Sequence, residues 1–269
     1  MPEGHVIHRL ATQITSQFGG KVPAVSSPQG RFAAEAARVD GAVLAGASAW
    51  GKHLFIDFDS DIPDHIIHIH LGLIGKLRVR PLADPVGHVR LRIADDRQAA
   101  DLTGPQWCRL ITGEEQAAAV AKLGADPLRA DADPEPVWKK VAASSRAIGD
   151  LLLDQALFAG VGNIYRAEVL FRHGIRPSRP GTQIRRREFD AIWDDLVSLM
   201  ADGVAVGRID TVRPDHTPEA MGRPPREDAH GGEVYVYRRA GQPCLVCGTP
   251  VAVTSVKGRN LFYCPACQR

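Results

Sequence analysis

Four cysteines near the C-terminus constrain this chain more than any other feature. Cys244, Cys247, Cys264 and Cys267 form two C-x-x-C pairs separated by sixteen residues. Thiolates at that spacing converge on a single tetrahedral ion, so the spacing predicts one structural Zn2+ held by all four. A redox role for either pair is disfavoured, because two spaced pairs point to one ligand set. Between the pairs, residues 253–262 alternate apolar side chains around Lys257-Gly258-Arg259. That pattern predicts a β-hairpin whose turn carries two cations. After Glu233 no acidic residue follows, whereas Arg238, Arg239, Lys257, Arg259 and Arg269 do. The segment 233–269 is therefore a local cationic module, either a structural zinc ribbon with a solvated turn or a phosphate clamp.

The preceding chain changes texture once. Residues 6–18 place Val6, Leu10 and Ile14 at i, i+4 and i+8, one face of a helix closed by Gly19-Gly20. Short alternating runs follow at 43–48, 53–58, 65–70, 76–80, 88–94 and 107–112, the pattern of an antiparallel sandwich. Beyond Thr112 the pattern is helical: 114–123, then, past a Pro- and Asp-containing linker, 137–144, 146–158, 164–173 and 185–200. The stretch 207–232 is polar and rich in Gly and Pro, and reads as a mobile loop. The expected architecture is α+β and multidomain: residues 1–124 a helix plus β-sandwich, 130–232 helical, 233–269 a zinc finger. The 269 residues, 44% hydrophobic and 24% charged, suit ordinary globular domains. A net charge of +2 neither demands nor excludes a polyanionic partner. No apolar run is long enough to span a bilayer, and no basic-then-apolar leader is visible, so the expectation is a cytoplasmic protein without a membrane partner.

Several residues carry candidate chemistry. Removal of Met1 leaves Pro2 with a free secondary amine, and α-amino groups titrate near pH ~8, so a useful fraction is nucleophilic at neutrality. Attack of a secondary amine on an aldehyde carbon gives an iminium, cationic without an added proton and a good electron sink. Glu3 sets a carboxyl beside it for proton transfer. Against this stands the ordinary fate of such starts, which are unstructured ends. In Gly160-Val161-Gly162-Asn163, Gly162 and its neighbours expose amides at a helix start, which attract phosphate, and Asn163 is placed both to cap that helix and to offer its amide. Lys52, at a strand start, reads alone as a solvated charge. His65, His68 and His70 do not share one strand face, so they are read as polar residues and not as a second metal site.

In combination these motifs resemble the formamidopyrimidine-DNA glycosylase / endonuclease VIII family. The resemblance rests on the ordered series Met1-Pro2-Glu3-Gly4, Gly51-Lys52, His70-Leu71-Gly72-Leu73, Leu123-Gly124-Ala125-Asp126-Pro127-Leu128, Leu152-Leu153-Asp154-Gln155, Gly162-Asn163-Ile164-Tyr165 and the four-cysteine hairpin. It spans essentially the whole chain, and Gly4 leans toward the endonuclease VIII branch. The resemblance implies a helix–two-turn–helix domain between the sandwich and the zinc finger, and damaged DNA as the partner of a monomer associated with a bacterial nucleoid. No nucleotide cofactor is implied. It implies a bifunctional DNA glycosylase and AP lyase of base excision repair: Pro2 attacks C1′ of a flipped nucleotide, and the Schiff base decays by β,δ-elimination. Glu3 moves protons, Lys52 assists and holds phosphate, Asn163 and Arg259 grip the backbone, Arg259 aids δ-elimination, and Leu73 plugs the gap left by the flipped base.

Departures from the family pattern bear on substrate. Val6 stands where many members carry a second carboxylate. Gln106-Trp107-Cys108 stands where the purine-directed branch has arginine and phenylalanine, and Gly72 where one relative has a glutamine wedge. The base opposite the lesion is therefore expected to be read differently or hardly at all, and oxidised pyrimidines are taken as the favoured substrates. An 8-oxoguanine- or formamidopyrimidine-directed glycosylase is the alternative within the family, and a non-catalytic zinc-dependent damage-binding protein the alternative outside enzymes.

Overall fold

The computed structural model describes residues 2–228, 232–256 and 258–269, and divides the chain into two compact units, Met1–Lys122 and Leu123–Arg269. The first unit opens with helix α1 (Gly4–Phe18). Next come β1 (Ala24–Ser26), α2 (Ala33–Val39), β2 (Val43–Trp50), β3 (His53–Asp59), β4 (Asp64–His70), β5 (Lys76–Pro81), β6 (Val89–Ala94), β7 (Gln98–Thr103), β8 (Trp107–Thr112) and α3 (Gly113–Val120). The strands form two antiparallel four-stranded sheets, ordered β1-β6-β7-β5 and β2-β3-β4-β8.

Alternation decides which way each strand faces. Leu54, Ile56 and Phe58 of β3, Ile67 and Ile69 of β4, and Leu91, Ile93, Ala100 and Leu102 of the other sheet share one buried cluster. The opposite face of β3 and β4 carries His53, Phe55, His68 and His70 instead. Helix α1 completes the core with Ile7, Leu10, Ala11, Ile14 and Phe18. The buried stripe thus starts at Ile7, one residue on from the Val6 that the sequence spacing suggested. Thr15 pins the helix to β2: its Oγ1 donates to the Ala47 carbonyl (3.2 Å) and accepts the Ala47 N–H (2.8 Å). Three elements escaped the sequence pattern, namely β1, α2 and β7. In β7, Ala99 and Ala100 have weak strand preference, and the strand forms because β5 and β6 pair with it on both sides.

The second unit contains α4 (Glu135–Ala142), α5 (Ile148–Leu151), α6 (Asn163–Arg172), α7 (Arg186–Val206), α8 (Pro218–Met221), β9 (Ala252–Val256) and β10 (Arg259–Tyr263). The helix expected over 146–158 is reduced to the single turn α5. Asp154 explains why: one carboxylate oxygen accepts the Ala156 N–H (3.1 Å) and the other binds Arg146 Nη1 (2.8 Å), so the side chain competes with the helix backbone. Gln155 then closes the loop, accepting the Gly160 N–H at 3.0 Å and donating to the Val161 carbonyl at 2.9 Å. Gly124 lies against this loop so closely that a Cβ there would sit 2.2 Å from the Leu157 carbonyl oxygen, and its N–H donates to Gln155 O at 2.8 Å.

The polar stretch after Gly207 is more structured than its composition suggests. It contains a 3-10 turn at Pro214–His216 and helix α8, tied down by the Arg223–Glu233 and Arg226–Asp228 ion pairs. Arginine side chains supply order where apolar residues are missing.

The first unit carries buried histidines whose titration reports on its stability. Burial lowers the pKa of His5 and His53 from 6.5 to about 4, and that of His68 to about 3. Between these values and 6.5 the unfolded chain binds protons that the folded chain does not, so stability rises with pH across that window. Thermal unfolding followed at pH 7, 6 and 5 is expected to show a progressive fall in the Tm of the sandwich. His68→Phe should flatten that dependence.

Candidate active site and nucleic-acid interface

Pro2 and Glu3 lead directly into α1. Pro2 is half-buried, and Glu3 is fully buried at the N-cap position with extended backbone (φ −112°, ψ 179°). The positive end of the α1 dipole lies at this pair. Because α1 is buried along one face and pinned at Thr15, its first residues are held by the sandwich core. Met1 lies outside the described residues. Val6, where a second carboxylate is absent, is half-buried at the first turn.

Lys52 sits in the tight turn joining β2 to β3, next to Gly51 in the left-handed region (φ 58°). Its ammonium acts on His70, whose pKa is lowered first by burial and then by the Lys52 charge. Lys52 is thereby placed at the β4 end of the sheet, where the turn 71–75 begins. Leu73 lies in that turn with 71% of its surface exposed. Its neighbour Ile74, which the sequence reading did not single out, is 78% exposed. Two adjacent bare apolar side chains on one turn are the signal that was available.

In the second unit the helix start 162–163 differs from expectation. The N-cap is Gly162, and no side chain caps α6. Asn163 is the first helical residue and is 7% exposed. Its Nδ2 donates to the Asn260 carbonyl in β10 (2.9 Å), while its Oδ1 accepts from Arg166 Nη2. Arg166 also donates to the Asn260 carbonyl (3.1 Å) and to the Gly149 carbonyl in α5 (3.3 Å). The amide of Asn163 is thus oriented by a buried guanidinium and joined to the zinc hairpin. One Nδ2 hydrogen is used by Asn260, and the amide has a second. Arg259, adjacent to Asn260 and first in β10, is exposed. Lys257, the other expected cation of the tip, lies outside the described residues.

Glu168, one turn further along α6, is fully buried. Its carboxylate accepts the N–H groups of Tyr235 (2.7 Å), Val236 (2.9 Å) and Tyr237 (2.8 Å), and the Thr211 hydroxyl (2.6 Å). Arg166 and Glu168 carry no signal in the sequence, because helical periodicity does not show that α6 is buried along its length. It is buried along Asn163–Phe171, so every polar residue on it must be paired.

The four cysteine sulfurs lie within 4.8 Å of one another, with Cys244–Cys267 at 3.9 Å and Cys247–Cys264 at 3.5 Å. A tetrahedral Zn2+ with bonds of about 2.3 Å needs sulfurs about 3.8 Å apart. The donors therefore fit one zinc ion. Cys108 belongs to β8, away in sequence from this group, and burial raises its thiol pKa to about 12, so it is a packing residue.

Comparison with known proteins covers the same regions. Residues 1–106 match the formamidopyrimidine-DNA glycosylase N-terminal domain, 123–214 the formamidopyrimidine-DNA glycosylase H2TH domain, and 241–269 the zinc finger found in FPG and IleRS. Among curated relatives, "Endonuclease 8 1" of Mycobacterium tuberculosis is 48% identical over 277 aligned positions, covering 100% of both chains. The formamidopyrimidine-DNA glycosylase of Geobacillus kaustophilus is 32% identical, covering 87% of this chain and 84% of its own. In fold, the chain is similar to Lactococcus lactis Fpg solved with DNA containing an abasic site (TM-score 0.80, 24% identity, 99% of both chains).

Glu168 offers a direct test of the second unit. Glu168→Gln replaces an acceptor oxygen with an NH2 facing backbone donors. Breaking one side of such a buried charged network is expected to lower stability by about 3 kcal/mol. A urea titration with a probe in 123–269 should show the midpoint fall while the first unit keeps its own.

Proposed function

Because the chain belongs to the formamidopyrimidine-DNA glycosylase / endonuclease VIII family, with three family domains in order and a full-length relative named Endonuclease 8 1, we propose the following reaction and residue roles for it. The family activity is that of a DNA glycosylase with AP lyase activity in base excision repair. The substrate is damaged DNA, with oxidised pyrimidines favoured. The single observation that carries the catalytic assignment is the start of α1: Pro2, followed by a fully buried Glu3, at the positive end of a helix docked on the sandwich.

The reaction follows from the chemistry of a secondary amine. With Met1 removed, the Pro2 nitrogen attacks C1′ of a nucleotide extruded from the stack, and the glycosidic bond breaks as the base leaves with a proton. The sugar ring opens, and the C1′–nitrogen link becomes an iminium. Glu3 moves the protons of these steps. The iminium acidifies C2′–H, and loss of that proton expels the 3′ phosphate. Loss of a second proton, at C4′, expels the 5′ phosphate, and water hydrolyses the iminium to release Pro2. Both eliminations develop charge on phosphate, where Lys52 and Arg259 supply compensating cations. Asn163 holds a backbone phosphate with its remaining amide hydrogen. Gly162, the N-cap of α6, brings the helix start to the backbone, and Lys257 adds a cation beside Arg259.

The turn carrying Leu73 bears on how the base opposite the lesion is read. Gly72 has φ +67°, and a Cβ on it would lie 2.9 Å from Gln106 Cβ. Position 72 therefore presents no side chain to an opposite base, and Leu73 fills the gap by shape alone.

Borohydride treatment of the Met1-free protein on abasic-site DNA is expected to yield a covalent adduct, and an N-terminal extension is expected to abolish it. Tight binding without any adduct would support the non-catalytic reading instead. Across duplexes carrying 5-hydroxyuracil, thymine glycol or 8-oxoguanine, base release should favour the pyrimidines, whereas selective release of 8-oxoguanine would overturn that preference. Arg259→Ala is expected to weaken binding about tenfold and to slow δ-elimination more than base release. Equal loss at every step would indicate a disrupted hairpin.

A further inference from the structure

The outer face of β2-β3-β4-β8 carries a set of rings that the reaction above does not use. Pairing aligns Trp50 with His53, His53 with His70, and His70 with Trp107, in one row across four strands at the end of the sheet. His70 and Trp107 stack at 4.5 Å with 29° between their planes, and His53 meets His70 edge-on at 5.3 Å. One row below, His68 stands 5.8 Å from Trp107 and stacks on Phe55 at 4.6 Å. His53 Nδ1 and His68 Nε2 are 2.8 Å apart and share a hydrogen bond. Burial, the first cause in each case, keeps all three imidazoles below their usual pKa, so the stack is neutral at physiological pH.

This stack is bonded to two turns. His70 Nδ1 accepts the Gly72 N–H (3.1 Å), inside the turn 71–75 that exposes Leu73 and Ile74. The His70 carbonyl accepts the Gln106 N–H (2.9 Å), at the end of the turn 104–106 that leads into Trp107. The turns also touch each other. The Cβ position of Gly72 lies against Gln106, and that of Gly104 is 3.8 Å from Ile74 Cδ1. Turns of this kind are ordinarily the mobile parts of a sandwich. Pushing an apolar side chain between base steps works against stacking worth a few kcal/mol per step, so a wedge that yields is ineffective.

We propose that His53, His68, His70 and Trp107 form a plinth that makes the turns 71–75 and 104–106 one rigid wedge, with Trp107 a positioning residue for base extrusion. The proposal rests on the reading of Leu73 as the gap-filling side chain. It assigns no proton transfer to the histidines. Their neutrality is what lets the rings stack and leaves the His70 Nδ1 lone pair available to Gly72.

The test separates extrusion from chemistry. Leu73→Ala, Trp107→Leu and Trp107→Phe are compared in the full-length zinc-loaded protein. The measurements are base release from a lesion in duplex DNA and cleavage of an abasic site in single-stranded DNA, where there is no stack to open. Trp107→Leu is expected to slow duplex base release about tenfold, the scale of losing an aromatic pair in a packed site. Single-strand cleavage should stay within twofold of the parent, and Trp107→Phe should restore duplex activity. Equal slowing of both reactions by Trp107→Leu, or no slowing of either, overturns the plinth. If Leu73→Ala leaves duplex base release unchanged, the wedge reading itself fails. Should Trp107→Leu not fold, His68→Phe carries the same test. It removes the His53 hydrogen bond while keeping a ring against Trp107, and a duplex-selective loss supports the plinth, whereas a uniform loss or none overturns it.

Discussion

One buried carboxylate holds the second unit in register. Glu168 takes three consecutive backbone N–H groups and a hydroxyl, so the segment 235–237, which has no helix or strand of its own, is fixed to α6 as firmly as if it were regular structure. That segment leads into the zinc hairpin, and Arg239 extends the same logic by donating to the Tyr235 and Pro243 carbonyls. On the same helix Arg166 connects α5, Asn163 and β10. A small hairpin with little core is thus positioned by charged groups removed from water, whose desolvation is repaid by several hydrogen bonds each. The arrangement is directional where apolar packing is not, and it fixes Asn163 on α6 against Asn260 on β10.

The first unit solves a related problem with apolar material. A chain terminus tends to fray, and α1 counters it by committing five side chains to the sandwich core and Thr15 to β2. The proposed catalytic dipeptide Pro2-Glu3 needs no support of its own, because the helix behind it cannot move without opening the core. Lys52 benefits in the same way, lying in a two-residue turn whose flanking strands are paired along their length.

Much of this was legible in the sequence, for identifiable reasons. The zinc ligands were unambiguous because spacing alone fixes their geometry, and the alternating strands β2, β3, β4, β5, β6 and β8 were visible because one face of each is apolar. Pro2 and Lys52 carry little signal individually, and acquired meaning only through the ordered set of motifs. What stayed hidden was long-range. Ala-rich β7 forms by pairing with neighbours distant in sequence. Asp154 halts a helix through contacts to Arg146 and Ala156 that composition does not announce. The role of Arg166 and Glu168 depends on α6 being buried along its length, which periodicity alone did not reveal. The stretch after Gly207 looked featureless because its order comes from arginine–carboxylate pairs and not from apolar contacts.

The contact between Gly72 and Gln106 has a consequence for how this fold diversifies. With φ +67° and 2.9 Å of clearance at its Cβ position, residue 72 cannot gain a side chain while residue 106 keeps its present place. Conversely, enlarging residue 106 has no room unless 72 stays bare. The two positions belong to different turns, yet they are locked into a single evolutionary choice. A lineage that acquires a larger side chain at one must relocate or shrink the other in the same step, or pass through a destabilised intermediate. The two positions then change as a pair, slow to drift and abrupt when they do.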